Sequence, residues 1–158
     1  MKLQIRFSPV FLLLFSLFST SALSQKLTII SATSQKWQGG AFGSGGGINY
    51  SIKMIAPRAS ADFKIDKIWI GEKYYEPVVN KGLPKLEKDF AKGDTIQLSA
   101  AHYIPGERDK KEGNIPEEKN IPCPKKYKGD ALISYTLKGK RKYFILKKIE
   151  ALQQLNYP

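Results

Sequence analysis

Apolar and polar residues alternate along most of this chain with a period of two. That spacing turns one side of an extended strand toward a core and the other toward water. Over residues 48–56, Ile48, Tyr50, Ile52 and Met54 share one face, with Asn49, Ser51 and Lys53 on the other. Residues 94–104 repeat the pattern, with Ile96, Leu98 and Ala100 set against Thr95, Gln97 and Ser99. A short β-prone run, KLTIISA, opens the body at 26–32. In 62–71, Phe63 and Ile65 give way to Ile68 and Ile70, and this switch of parity predicts a bulge near Asp66 and Lys67. Trp69 opposes the two isoleucines and is expected to be partly covered on the second face. Residues 74–79 read as the next strand, reached through the turn Gly71–Glu72–Lys73, and Pro77 favours an edge position because it donates no ladder hydrogen bond. Residues 131–137 and 142–149 form the arms of a hairpin around Lys138, Gly139, Lys140 and Arg141.

The rhythm breaks in four places. Leu83, Leu86 and Phe90 are spaced by three and four, with Pro84 early and Gly93 after them, which predicts a short amphipathic helix capping one end of the body. Leu152 and Leu155 are three apart, which favours a terminal helical turn over a further strand. The segment 39–47, GGAFGSGGG, has six glycines in nine residues but neither a G-x-G-x-x-G spacing nor a following Gly-Lys-Ser/Thr, so no phosphate cradle is expected. It reads as a flexible loop or a bulged turn, tacked down by Trp37 and Phe42. Residues 105–129 hold many charges and four prolines, with Ile115, Ile121 and Tyr127 as their few core-compatible side chains; they read as one long loop. Six or seven strands and one short helix predict an all-β fold, an antiparallel two-sheet sandwich that looks immunoglobulin-like in element count but lacks paired cysteines. A closed β-barrel, with room for an internal ligand, is the alternative.

The first 24 residues follow another logic. Lys2 and Arg6 precede the apolar run VFLLLFSLF at 10–18, and small residues at Ala22 and Ser24 precede Gln25. This is the layout of a secretory signal peptide, with an apolar run too short to span a bilayer. Residues 25–158 are then one exported domain, periplasmic or secreted, with no membrane span once the leader is cleaved. Cys123, the single cysteine, has no internal partner, and Pro122 and Pro124 favour an extended, exposed setting for it. The chain carries +12; loss of Lys2 and Arg6 leaves 24 basic against 14 acidic residues, a net +10. Such an excess attracts polyanions, and outside the cytoplasm these are acidic polysaccharides, envelope components and acidic proteins rather than intracellular nucleic acid. In its leader, strand count and lysine-rich character the chain resembles small exported β-sandwich proteins of Gram-negative envelopes. That resemblance implies a sandwich and an address, and supplies no site.

Catalytic chemistry is thinly represented. His102 is the single histidine and follows the inward parity of Ile96, Leu98 and Ala100. One histidine and one cysteine cannot make the usual zinc sets, and no motif requires a cofactor. Glu107, Asp109 and Glu112 are interrupted by Arg108, Lys110 and Lys111, so they read as a solvated mixed-charge stretch and not as a calcium site. Glu72, Glu76, Asp94 and Glu107 could supply a hydrolytic carboxylate pair, without specific spacing. The basic end is denser. Lys138, Lys140, Arg141 and Lys142 mark the hairpin tip, Lys125, Lys126 and Lys128 lie shortly before its first arm, and Tyr127 and Tyr143 interleave as possible stacking faces. The expected function is therefore a non-catalytic binding or interaction module working through this end. A hydrolase using carboxylates or His102, and a carrier of a small apolar ligand, are the alternatives.

Overall fold

The computed structural model describes residues 27–81, 87–113 and 119–158. The leader read at 1–24 lies outside them. Among the described residues, nine strands and one short helix follow in chain order: β1 (Thr28–Gln38), β2 (Gly46–Ile55), β3 (Phe63–Ile70), β4 (Lys73–Tyr75), β5 (Val78–Asn80), β6 (Thr95–Ile104), α1 (Glu107–Glu112), β7 (Ala131–Leu137), β8 (Lys140–Leu146) and β9 (Glu150–Asn156). They make a five-stranded sheet ordered β5-β6-β2-β1-β9 and a four-stranded sheet ordered β4-β3-β7-β8. The first eight strands pair as D-E-B-A against C′-C-F-G, the Greek-key pairing of an immunoglobulin sandwich, and β9 is added outside β1. The two sheets do not close on each other, so the barrel alternative is wrong.

The period-two faces meet where the alternation predicts. Ile52, Met54, Ile96 and Leu98 from one sheet and Ile68 and Ile133 from the other are fully buried, and Phe63, Ile65, Tyr135 and Leu137 complete the layer between them. Each such side chain contributes roughly 1.5–3 kcal/mol through burial. Sixteen buried side chains form one core cluster between the sheets. The bulge falls as expected between Ile65 and Lys67, and it carries the inward parity from Ile65 to Ile68.

Several expectations need correction. Residues 74–79 are not one strand: β4 pairs with β3 while β5 pairs with β6, so the chain changes sheets between Tyr75 and Val78, at Glu76 and Pro77. Pro77 thus marks a crossing. The predicted capping helix falls partly on residues 82–86, outside the described region, and residues 87–93 are not helical. Phe90 still reaches the core and meets the Phe63 ring edge-on, with centroids 6.2 Å apart. The single helix lies instead inside the long loop, where Asp109 reaches back to the Gly106 N–H at 2.8 Å and Gly113 ends it at φ 71°. Leu152 and Leu155 belong to no terminal turn. They lie on β9, which runs parallel to β1 with an irregular register between Gln35–Leu152 and Trp37–Leu155. That extra residue explains the misleading spacing, because across it two residues three apart come to share one face.

Candidate functional site

The basic hairpin is built by a two-residue connection. Lys138 and Gly139 both have positive φ, 49° and 72°, as a type I′ turn requires, and this places the Lys138 side chain at the tip beside Lys140 and Arg141. All three are exposed, and Lys142 is half-buried on the inward parity of Phe144 and Leu146.

Residues 119–130 do not hang free. They cross the outer face of the four-stranded sheet, where Trp69, Leu132 and Ile145 lie side by side in register. The Trp69 Nε1–H donates to the Ile121 carbonyl at 2.9 Å, and the Tyr127 hydroxyl donates to the Trp69 carbonyl at 3.2 Å. Beneath this strap Trp69 is only 3% exposed and Leu132 fully buried, so the tryptophan expected to be partly covered sits in a second small core. Burial raises the Tyr127 phenol above its ordinary value, aided by its acidic neighbours. Cys123 is half-buried, with its thiol donating to the Lys125 carbonyl at 3.2 Å.

The strap brings Lys125 over the Tyr143 ring, 4.8 Å from the centroid. The strap thus carries its basic run to the outer face of β8, the face that Arg141 shares, while Lys140 and Lys142 follow the inward parity and Lys138 stands at the tip. Lys64, Thr136 and Arg141 align across β3, β7 and β8 one row from the tip, and Lys67, Ser134 and Tyr143 align in the next. Asp66 accepts from Thr136 Oγ1 at 2.8 Å and is the acid embedded in this array. Ion pairs occur elsewhere, at Lys81 with Glu87 and Asp94, Arg108 with Glu112, and Lys119 with Glu76. Among the described residues, Lys125, Lys126, Lys128, Lys138, Lys140, Arg141 and Lys142 have no carboxylate partner. The two tyrosines read from the sequence as stacking faces each have a neighbour, though Tyr143 stays 37% exposed. Tyr127 is tied to Trp69, and Lys125 already covers Tyr143.

The opposite end holds the arrangement that sequence reasoning missed. The glycine-rich segment is a turned corner, tacked by Trp37 as expected but not by Phe42, which is 98% exposed. A Cβ on Gly47 would lie 2.5 Å from the His102 carbonyl and 2.8 Å from Trp37 Nε1, and one on Gly106 would lie 2.2 Å from the Gly43 carbonyl. Asp109 locks the corner by accepting from the Tyr103 hydroxyl at 2.6 Å and from the Gly106 N–H. The Tyr103 bond, with backbone N–H groups of Gly106 and Gly45, holds the Asp109 carboxyl below its ordinary range; the same bond to Asp109 raises the Tyr103 phenol. Only an aspartate three residues after a glycine hinted at this in the sequence. A cleft of about 300 Å³ opens beside the corner, with Lys36, Gln38, Ser44, Ile48, Ile104 and Pro105 among its lining.

The hydrolytic alternatives gain no geometry. His102 packs edge to face on Tyr75 with centroids 6.0 Å apart, and Tyr75 in turn packs on Tyr50. Asp94 accepts from the Ala91 N–H and pairs with Lys81, and Glu76 pairs with Lys119. Among the described residues no cluster of three His, Cys, Asp or Glu side chains could hold a metal ion. Comparison with family models, with curated proteins and with solved structures finds no match for this chain.

Proposed function

We propose that the protein is an exported, non-catalytic binding module that contacts a polyanionic surface through the outer face and tip of its four-stranded sheet. The leader in residues 1–24 would deliver it to an acidic polysaccharide, an envelope component or an acidic protein. The observation that carries this reading is the group of seven cations, from Lys125 to Lys142, gathered by strap and hairpin with no carboxylate partner among the described residues. Uncompensated cations on a rigid sheet raise the local concentration of a polyanion and lose that advantage as salt screens them. The contact is electrostatic, between a cationic face and an acidic chain.

The test is binding to heparin and to polyglutamate across a salt series. Binding should be strongest at low ionic strength and fall steadily as salt rises. Replacing Lys138, Lys140, Arg141 and Lys142 together with glutamine should weaken it by about tenfold or more at low salt, a change of about 1.4 kcal/mol, and flatten the salt dependence. Absence of binding to both polymers at low salt would overturn the reading.

A further inference from the structure

The two outer faces of the sandwich differ in kind. On the five-stranded sheet, the register aligns Leu152, Gln35, Asn49 and Ala101 in one row and Leu155, Trp37, Gly47 and Tyr103 in the next. The irregular pairing of β9 sets both leucines on this face, 45% and 39% exposed. Gly47 leaves the space across which the indole of Trp37 lies, and the Trp37 and Tyr103 rings meet with centroids 6.0 Å apart. Tyr157, half-exposed just beyond β9, meets Trp37 edge-on with centroids 6.1 Å apart. Three aromatic rings thus cluster around Trp37 at the end of the sheet. Beside them the face continues through Gln35, Asn49, Thr33 and Ser51, uncharged donors and acceptors, with Glu150 of β9 opposite Thr33 at the edge of the sheet. Gln35 donates to the Gln153 carbonyl at 3.1 Å and Thr33 to the Ser51 carbonyl at 3.4 Å, which orients both side chains in advance.

From this geometry we infer a second binding surface, a platform for an uncharged polysaccharide centred on Trp37. A sugar ring presents an apolar C–H face and a rim of hydroxyls that both donate and accept. Aromatic rings clustered beside amides and hydroxyls match each part, with the flat ring under the C–H face and the side-chain oxygens and N–H groups at the rim. Charge decides the class of partner. In a chain of net +12, the rows through Gln35 and Trp37 contain no ionisable carboxylate or amine, so a polyanion gains nothing there. This surface is independent of the cationic face and should differ from it in salt response.

The full chain is titrated with cellohexaose, chitohexaose and maltohexaose while tryptophan fluorescence is followed. Trp69 is buried under its strap, so Trp37 is the accessible reporter. At least one oligosaccharide should produce a saturable change whose midpoint is the same at about 50 and 500 mM NaCl, where charge contacts differ strongly. Trp37→Ala, which removes the reporter and is therefore followed by titration calorimetry beside the parent, should weaken binding at least about tenfold. The paired change of Gln35→Ala and Asn49→Ala, at half-buried and exposed positions, should weaken it severalfold with an unaltered far-UV spectrum and serves if Trp37→Ala does not fold. No saturable change with any of the three sugars would overturn the inference. So would binding that survives the Gln35→Ala and Asn49→Ala pair, or binding that salt abolishes. A concentration-dependent dimer that shields Trp37 would also overturn it, by making this face an interface between copies.

Discussion

At the scale of single residues, the glycine-rich corner shows how composition misleads. Six glycines in nine residues suggest freedom, yet Gly47 is glycine because Trp37 and the His102 carbonyl fill the space a side chain would need. Gly47→Val should therefore cost about 1–3 kcal/mol through overpacking, measured as a lowered urea midpoint with unchanged m-value. Asp109 gives a second residue-scale expectation. Its folded pKa is depressed, so its contribution is present above the ordinary carboxyl value of about 3.9 and is lost as pH falls through the lower folded value. Tyr103 works in the other direction. Its folded pKa is raised, so its contribution holds below the ordinary phenol value of about 10 and is lost as pH rises through the higher folded value. Trp37 fluorescence should accordingly report a corner that loosens at both extremes, and Asp109→Asn should remove the acid limb. A profile unchanged by Asp109→Asn would contradict the lock.

At the scale of elements, alternation located the long strands and failed at their ends. The strands on either side of the core carried a legible parity, and even the bulge at Asp66 could be read, because Ile65 and Ile68 must both reach the interior. The split between β4 and β5 could not be read. A six-residue stretch such as Tyr74 to Val79 looks the same whether it stays in one sheet or crosses to the other. The strap over Trp69 was also hidden, since its contacts with Trp69 are one indole hydrogen bond to Ile121 and one phenol bond from Tyr127. Trp69→Phe should keep the apolar fill, lose about 1 kcal/mol with the indole bond, and speed proteolysis within 119–130. Equal cleavage rates in variant and parent would show that the strap is held by other contacts.

At the scale of the whole molecule, the sandwich separates two chemistries onto two faces that look away from each other. One carries lysine and arginine without carboxylate partners among the described residues, and the other carries aromatic rings, amides and hydroxyls. Salt should divide them. Raising NaCl should release heparin from the protein while leaving the oligosaccharide titration unmoved, and the glutamine variant of the hairpin should lose the first and keep the second. Parallel loss of both would mean one shared surface.

Read alone, the amino-acid order determined the strand class, the buried faces and the hairpin tip, because alternation and turn chemistry are local and act within a few residues. It also located the cations, including the two runs that the strap later brings together. Only the tertiary structure decided that Lys125 would lie on Tyr143, that Gly47 would make room for Trp37, and that β9 would carry two leucines to the same face. Those outcomes depend on contacts between segments tens of residues apart. No local periodicity encodes which distant backbone will fill the space left by a missing side chain.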